Sequence, residues 1–92
     1  MRGIKKSKYE PISRALKLAE ANGHERITYP FEHVEEIIGD SLPKSSKTYV
    51  AWWGNNYNQL GRQCQAWLKV GWETEKVDLQ NQYVIFAMKK RY

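Results

Sequence analysis

Prolines and glycines cut this chain into short pieces, and that punctuation limits what it can fold into. Pro11 opens a helix, since a first-turn nitrogen needs no hydrogen, and Asn22-Gly23 closes it. Between them Ile12, Ala15, Leu16 and Ala19 share one face at helical spacing. Pro30 starts a second helix with Phe31, Val34, Ile37 and Ile38 inward, Glu32, Glu35 and Glu36 outward, and Gly39 as its stop. Beyond the connector Asp40-Ser41-Leu42-Pro43, a third helix is expected, capped by Ser45 or Ser46, with Tyr49, Trp52 and Trp53 on one face. Gly54-Asn55-Asn56 ends it. A fourth helix, with Leu60, Cys64, Trp67 and Leu68 as its apolar face, runs to Gly71.

The rest reads as β-structure. Glu25 to Tyr29 suits a brief strand. Trp72 to Leu79 and Tyr83 to Met88 suit a hairpin turning at Gln80-Asn81-Gln82. The nearly continuous apolar run from Tyr83 to Met88 predicts a central strand covered on both faces. The order predicts an α+β, winged-helix-like fold: about four helices packed on a small antiparallel sheet made of the short strand plus the C-terminal hairpin. A generic α+β domain with the same elements is the alternative. Ninety-two residues suit one domain with one core. It is expected over residues 9–88, between a flexible basic arm (1–8) and a basic tail (89–92).

Charge is unevenly spread. Arg2, Lys5, Lys6 and Lys8 lie in the first eight residues and Lys89, Lys90 and Arg91 in the last four, so residues 9–88 sum to −2 within a net charge of +5. Yet from Ser41 to Trp72 there is no acid, and this window holds all four tryptophans (Trp52, Trp53, Trp67, Trp72) with Lys44, Lys47, Arg62 and Lys69. It also holds the amide run Asn55-Asn56-Tyr57-Asn58-Gln59, then Gln63 and Gln65. A basic, aromatic, amide-rich stretch tolerates a polyanion and offers it hydrogen bonds.

Pro43-Lys44-Ser45-Ser46-Lys47-Thr48 offers free first-turn amides, hydroxyls and lysines to phosphate; a plain serine cap with two solvated lysines reads equally well. Thr48, Trp53, Gln59, Arg62 and Gln63 are expected to face bases or the nucleic-acid backbone. Adjacent helical residues diverge by ~100°, so with one of Trp52 and Trp53 in the core the other is expected to be partly exposed, the alternative being that the fourth helix and the hairpin cover both. Trp52 is assigned to the core and Trp53 to mixed exposure. The amides are also ordinary turn formers.

Catalysis finds little footing. His24 and His33 stand in different elements without a second metal ligand nearby, and no CxxC, HExxH or phosphate-cradling glycine loop occurs. Glu73, Glu75 and Asp78 hint at a nuclease-like acidic set, but strand parity puts Lys76 on the face opposite Glu73 and Glu75. Cys64, the only cysteine, reads as a buried small hydrophobe. No cofactor or metal site is expected. No apolar run reaches a membrane span and no signal-peptide core is present, so a soluble cytoplasmic protein without a membrane partner is expected.

Lys8-Tyr9-Glu10-Pro11, Ile27 to Glu32, Glu35 to Gly39, Leu42 to Ser45, Trp52-Trp53-Gly54-Asn55, Gln65-Ala66-Trp67, Gly71-Trp72 and Val77-Asp78-Leu79 together resemble a family of small bacterial and phage domains of unknown function. The Trp-Trp-x-Asn motif is its most specific part. The resemblance implies a compact domain and supplies no activity. Thr28 to Gly39 is also similar to the second-helix start of winged-helix DNA binders, including alkyltransferase-like ones, but the alkyltransferase Pro-Cys-His-Arg motif is absent. The resulting expectation is a non-catalytic nucleic-acid-binding domain, with double-stranded DNA the first candidate. The alternatives are a protein-interaction module of a phage or bacterial accessory protein and a small metal-dependent nuclease.

Overall fold

A computed structural model describes residues 8–58 and 62–89 of the chain. Most of the expected basic arm and tail, and Gln59 and Leu60, lie outside the described residues. Helix α1 spans Glu10–Ala21, strand β1 Arg26–Pro30, α2 Phe31–Ile38, α3 Lys44–Thr48, α4 Gln65–Leu68, β2 Trp72–Asp78 and β3 Tyr83–Met88. A 3₁₀ turn covers Val50–Trp53. The fold is α+β, with the helices on one three-stranded antiparallel sheet of order β1-β3-β2.

The expected punctuation sets the first half. Pro11 lies in the first turn of α1, and Asn22 caps its end. Pro30 precedes α2, and Gly39 ends it in the left-handed region (φ 72°), where a side chain would strain the backbone. Ile12, Leu16, Phe31 and Val34 carry the helix stripes into one core with Tyr29, Trp53, Trp67, Trp72, Val84 and Phe86.

Strand β3 is central: Ile27 pairs with Phe86 and Tyr29 with Val84 on one side, and Trp72 with Met88 and Val77 with Val84 on the other. Its covering differs from expectation. The helices take the face of Val84 and Phe86. The face of Ile85 and Ala87 is screened by strand side chains: Arg26 pairs with Glu75, and the Lys76 ammonium stands 5.9 Å from the Tyr83 ring centre. A bulge between Thr74 and Lys76 resets the parity of β2. Glu73 opposes Ala87 and Lys76 opposes Ile85, so Lys76 shares the open face with Glu73 instead of opposing it.

The third and fourth helices are shorter than expected. Helix α3 stops after five residues, because Tyr49 is extended (φ −124°, ψ 123°) before the 3₁₀ turn. Pro43 is the N-cap, and the Ser46 hydroxyl donates to the Pro43 carbonyl (2.6 Å) instead of accepting from first-turn amides. Tyr49, expected inward, is 62 % exposed beside Val50 at 55 %.

Candidate nucleic-acid interface

The break at Tyr49 decides where the tryptophans go. A 3₁₀ turn advances by about 120° per residue, so it re-aims the side chains that follow. Trp53 is 1 % exposed, with its ring stacked between Phe31 (5.0 Å between centres, 18°) and Trp67 (6.0 Å, 22°). Its indole N–H donates to the Ser46 carbonyl at 2.9 Å. Trp52 is only half-buried, standing edge-on to Trp53 and Tyr9. The expected assignment is therefore reversed: Trp53 is core and contacts no base, while Trp52 carries the partly open ring.

The remaining expected site residues do not form one surface. Ser46 is fully buried, and its side chain and carbonyl are both bonded internally, which removes it as a phosphate ligand. Lys47 pairs with Glu35 at 3.2 Å. That carboxylate also accepts the Leu42 backbone N–H (2.9 Å); this bond first, then Lys47, holds its pKa below the usual range. Thr48 is exposed, and its hydroxyl donates back to the Lys44 carbonyl (2.9 Å). Lys44 is exposed and Ser45 half-buried. A five-residue helix leaves no frame for reading a DNA groove. Gln63 is half-buried and donates to the Trp52 carbonyl at 2.7 Å, while Arg62 beside it is exposed and makes no ion pair among the described residues. Gln59 lies outside the described residues.

The amide density has a structural cause. Asn55 Oδ1 accepts from the Thr74 N–H (3.0 Å) and the Trp67 indole (3.0 Å), and its Nδ2 donates to the Thr74 carbonyl (3.0 Å). It therefore pairs with the outer edge of β2 as a neighbouring strand would, and ties that edge to α4. A Cβ on Gly54 would stand 3.1 Å from the Ala51 carbonyl oxygen. Trp53-Gly54-Asn55 is thus a folding device, and Trp52 is the motif's one aromatic side chain that lines a surface depression.

The acidic residues of β2 are likewise in use. Glu73 accepts from the Tyr57 hydroxyl, Glu75 holds Arg26, and Asp78 accepts the Asn81 backbone N–H (2.9 Å) and side chain. Desolvation, and then Glu73, push Tyr57 up to about 12. Among the described residues, no group of three or more His, Cys, Asp or Glu could hold a metal. Cys64 is buried, as expected.

Two depressions stand out among the described residues. A groove of about 760 Å³ lies between α1, the turn after α4 and the end of β3; Arg14, Lys17, Lys69 and Lys89 line it against Glu10 and Glu20. Lys69 pairs with Glu10. Arg14, Lys17 and Lys89 are exposed and make no ion pair among the described residues. A pocket of about 390 Å³ is lined by Trp52, Asn56, Tyr57, Asn58, Arg62 and Gln63, among others. Lys89 links the two: it lines the groove, and its ammonium stands 4.5 Å from the Tyr57 ring centre. The sequence reading missed this groove because Arg14 and Lys17 sit on an ordinary solvated helix face, and only the tertiary fold sets them beside Lys69 and Lys89.

Among the described residues, no helix is long and apolar enough to cross a membrane. No curated protein matches the chain, and no solved structure does. A family model described as a domain of unknown function, DUF7662, matches residues 9–89, and the chain belongs to that family.

Proposed function

We propose that this DUF7662 domain is a non-catalytic nucleic-acid-binding module whose contact surface is the cation-lined groove beside α1. The observation that carries the reading is the set Arg14, Lys17, Lys69 and Lys89 facing only Glu10 and Glu20 in one groove. The excess is two positive charges, and the sequence continues from Lys89 into Lys90-Arg91. Cations that share a groove gain affinity for a phosphate chain by releasing its condensed counterions, whatever the base sequence. This surface replaces the start of α3, where Ser46 is buried and Lys47 is neutralised by Glu35.

Paired charge reversals test the placement. Arg14→Glu with Lys17→Glu is expected to weaken binding of a mixed-sequence DNA at least tenfold, with the far-UV spectrum unchanged. Lys44→Glu with Lys47→Glu is expected to change it less than threefold. The reverse ranking would return the site to α3.

A protein contact is the second reading, favoured by the adjacent exposed side chains Tyr49 and Val50. Such a contact would survive salt that abolishes phosphate binding.

A further inference from the structure

We propose that the groove and the Trp52 pocket form one continuous site for single-stranded nucleic acid, with the backbone tracked by the groove cations and one unstacked base seated in the pocket. This rests on the nucleic-acid reading above and adds the class of strand. Three observations converge on it.

First, one contact bridges the two depressions. Lys89 lines the groove, its ammonium lies over the Tyr57 ring, and Tyr57 lines the pocket. A strand leaving the groove at Lys89 meets an aromatic surface at once. A cationic track leading to an aromatic platform is how proteins hold single strands, because every base has a face to stack. A paired base cannot leave its stack without the cost of unpairing.

Second, the pocket has the right chemistry. Trp52 is the one half-buried indole; Trp53, Trp67 and Trp72 are sealed. Arg62 makes no ion pair among the described residues, which leaves its guanidinium available to a phosphate or a base edge. Gln63 is pinned through its Nε2 to the Trp52 carbonyl, which leaves its side-chain oxygen to accept from a base amino group.

Third, the helix expected to read a duplex groove is cut short: α3 ends at Thr48, and the following Tyr49 is extended.

The test uses the full chain and one mixed sequence as a DNA strand, an RNA strand and a DNA duplex, at about 50 mM salt. Either single strand is expected to bind at least tenfold more tightly than the duplex and to quench tryptophan emission, with the quench lost in Trp52→Phe. Arg62→Ala, at an exposed position, is expected to lose roughly tenfold on the single strand and nothing on the duplex; Trp52→Leu is expected to do the same. Duplex binding as tight as strand binding, with no quench and no effect of Arg62→Ala, would overturn the pocket and leave the nucleic-acid reading standing. Failure of all three probes to bind would bring down both.

Discussion

The Asn55 side chain joins three segments with one amide: the exit of the 3₁₀ turn, the edge of β2 at Thr74 and the Trp67 indole. Asn55→Ala would strand the buried Trp67 N–H and two edge groups, at a cost of about 2–3 kcal/mol. Asn55→Asp keeps the acceptor oxygen and should cost clearly less. Urea unfolding of both variants checks the ranking, and equal losses would contradict the clasp. The tryptophans offer a second comparison. Trp53 donates to the Ser46 carbonyl, whereas the Trp72 indole nitrogen is buried with no hydrogen-bond partner among the described residues. Trp53→Phe should therefore destabilise more than Trp72→Phe, by about 1–2 kcal/mol, because only the first loses a buried hydrogen bond. A larger loss in Trp72→Phe would refute this account. The identity of the motif was legible in the sequence, but its purpose was not: Trp-Trp-x-Asn has the composition of a binding surface, and only its tertiary partners make Trp53 and Asn55 structural.

The joint between α2 and α3 is electrostatic. Glu35 accepts from the Leu42 N–H and pairs with Lys47, while Asp40, at the end of α2, accepts from the Ser41 N–H and pairs with Lys8. Each carboxylate is held below its usual range, first by the backbone donor and then by the lysine. A carboxylate with a lowered folded-state pKa adds stability above the unfolded-state value, and that stability is lost as pH falls through the folded-state value. The thermal midpoint should therefore be flat from neutrality to about pH 5 and fall below it. Glu35→Gln should lower the midpoint at neutrality and flatten the acid limb, and a parallel acid limb would exclude Glu35 as a contributor. Elements bounded by Pro11, Pro30, Gly39 and the Gln80-Asn81-Gln82 turn were legible, because these residues act through their own backbone. The break at Tyr49 and the bulge before Lys76 were not, because no proline or glycine stands at either position to mark it.

Across the whole molecule, four of the described cations are paired with acids: Lys8, Arg26, Lys47 and Lys69. Of the six lysines and arginines without an acidic partner among the described residues, Arg14, Lys17 and Lys89 line the groove beside α1 and Arg62 lines the Trp52 pocket, while Lys44 and Lys76 line neither. The α+β class was readable from the order of short elements. The interface was not, because its cations come from α1, the turn after α4 and the residue that follows β3, far apart in sequence. The most direct measurement is binding of a mixed-sequence DNA strand between about 50 and 200 mM salt. Release of about four phosphate counterions predicts a log–log slope near −3 and a loss of roughly fiftyfold across that range. A flat response, or no binding at the lower salt, would contradict a phosphate-holding groove.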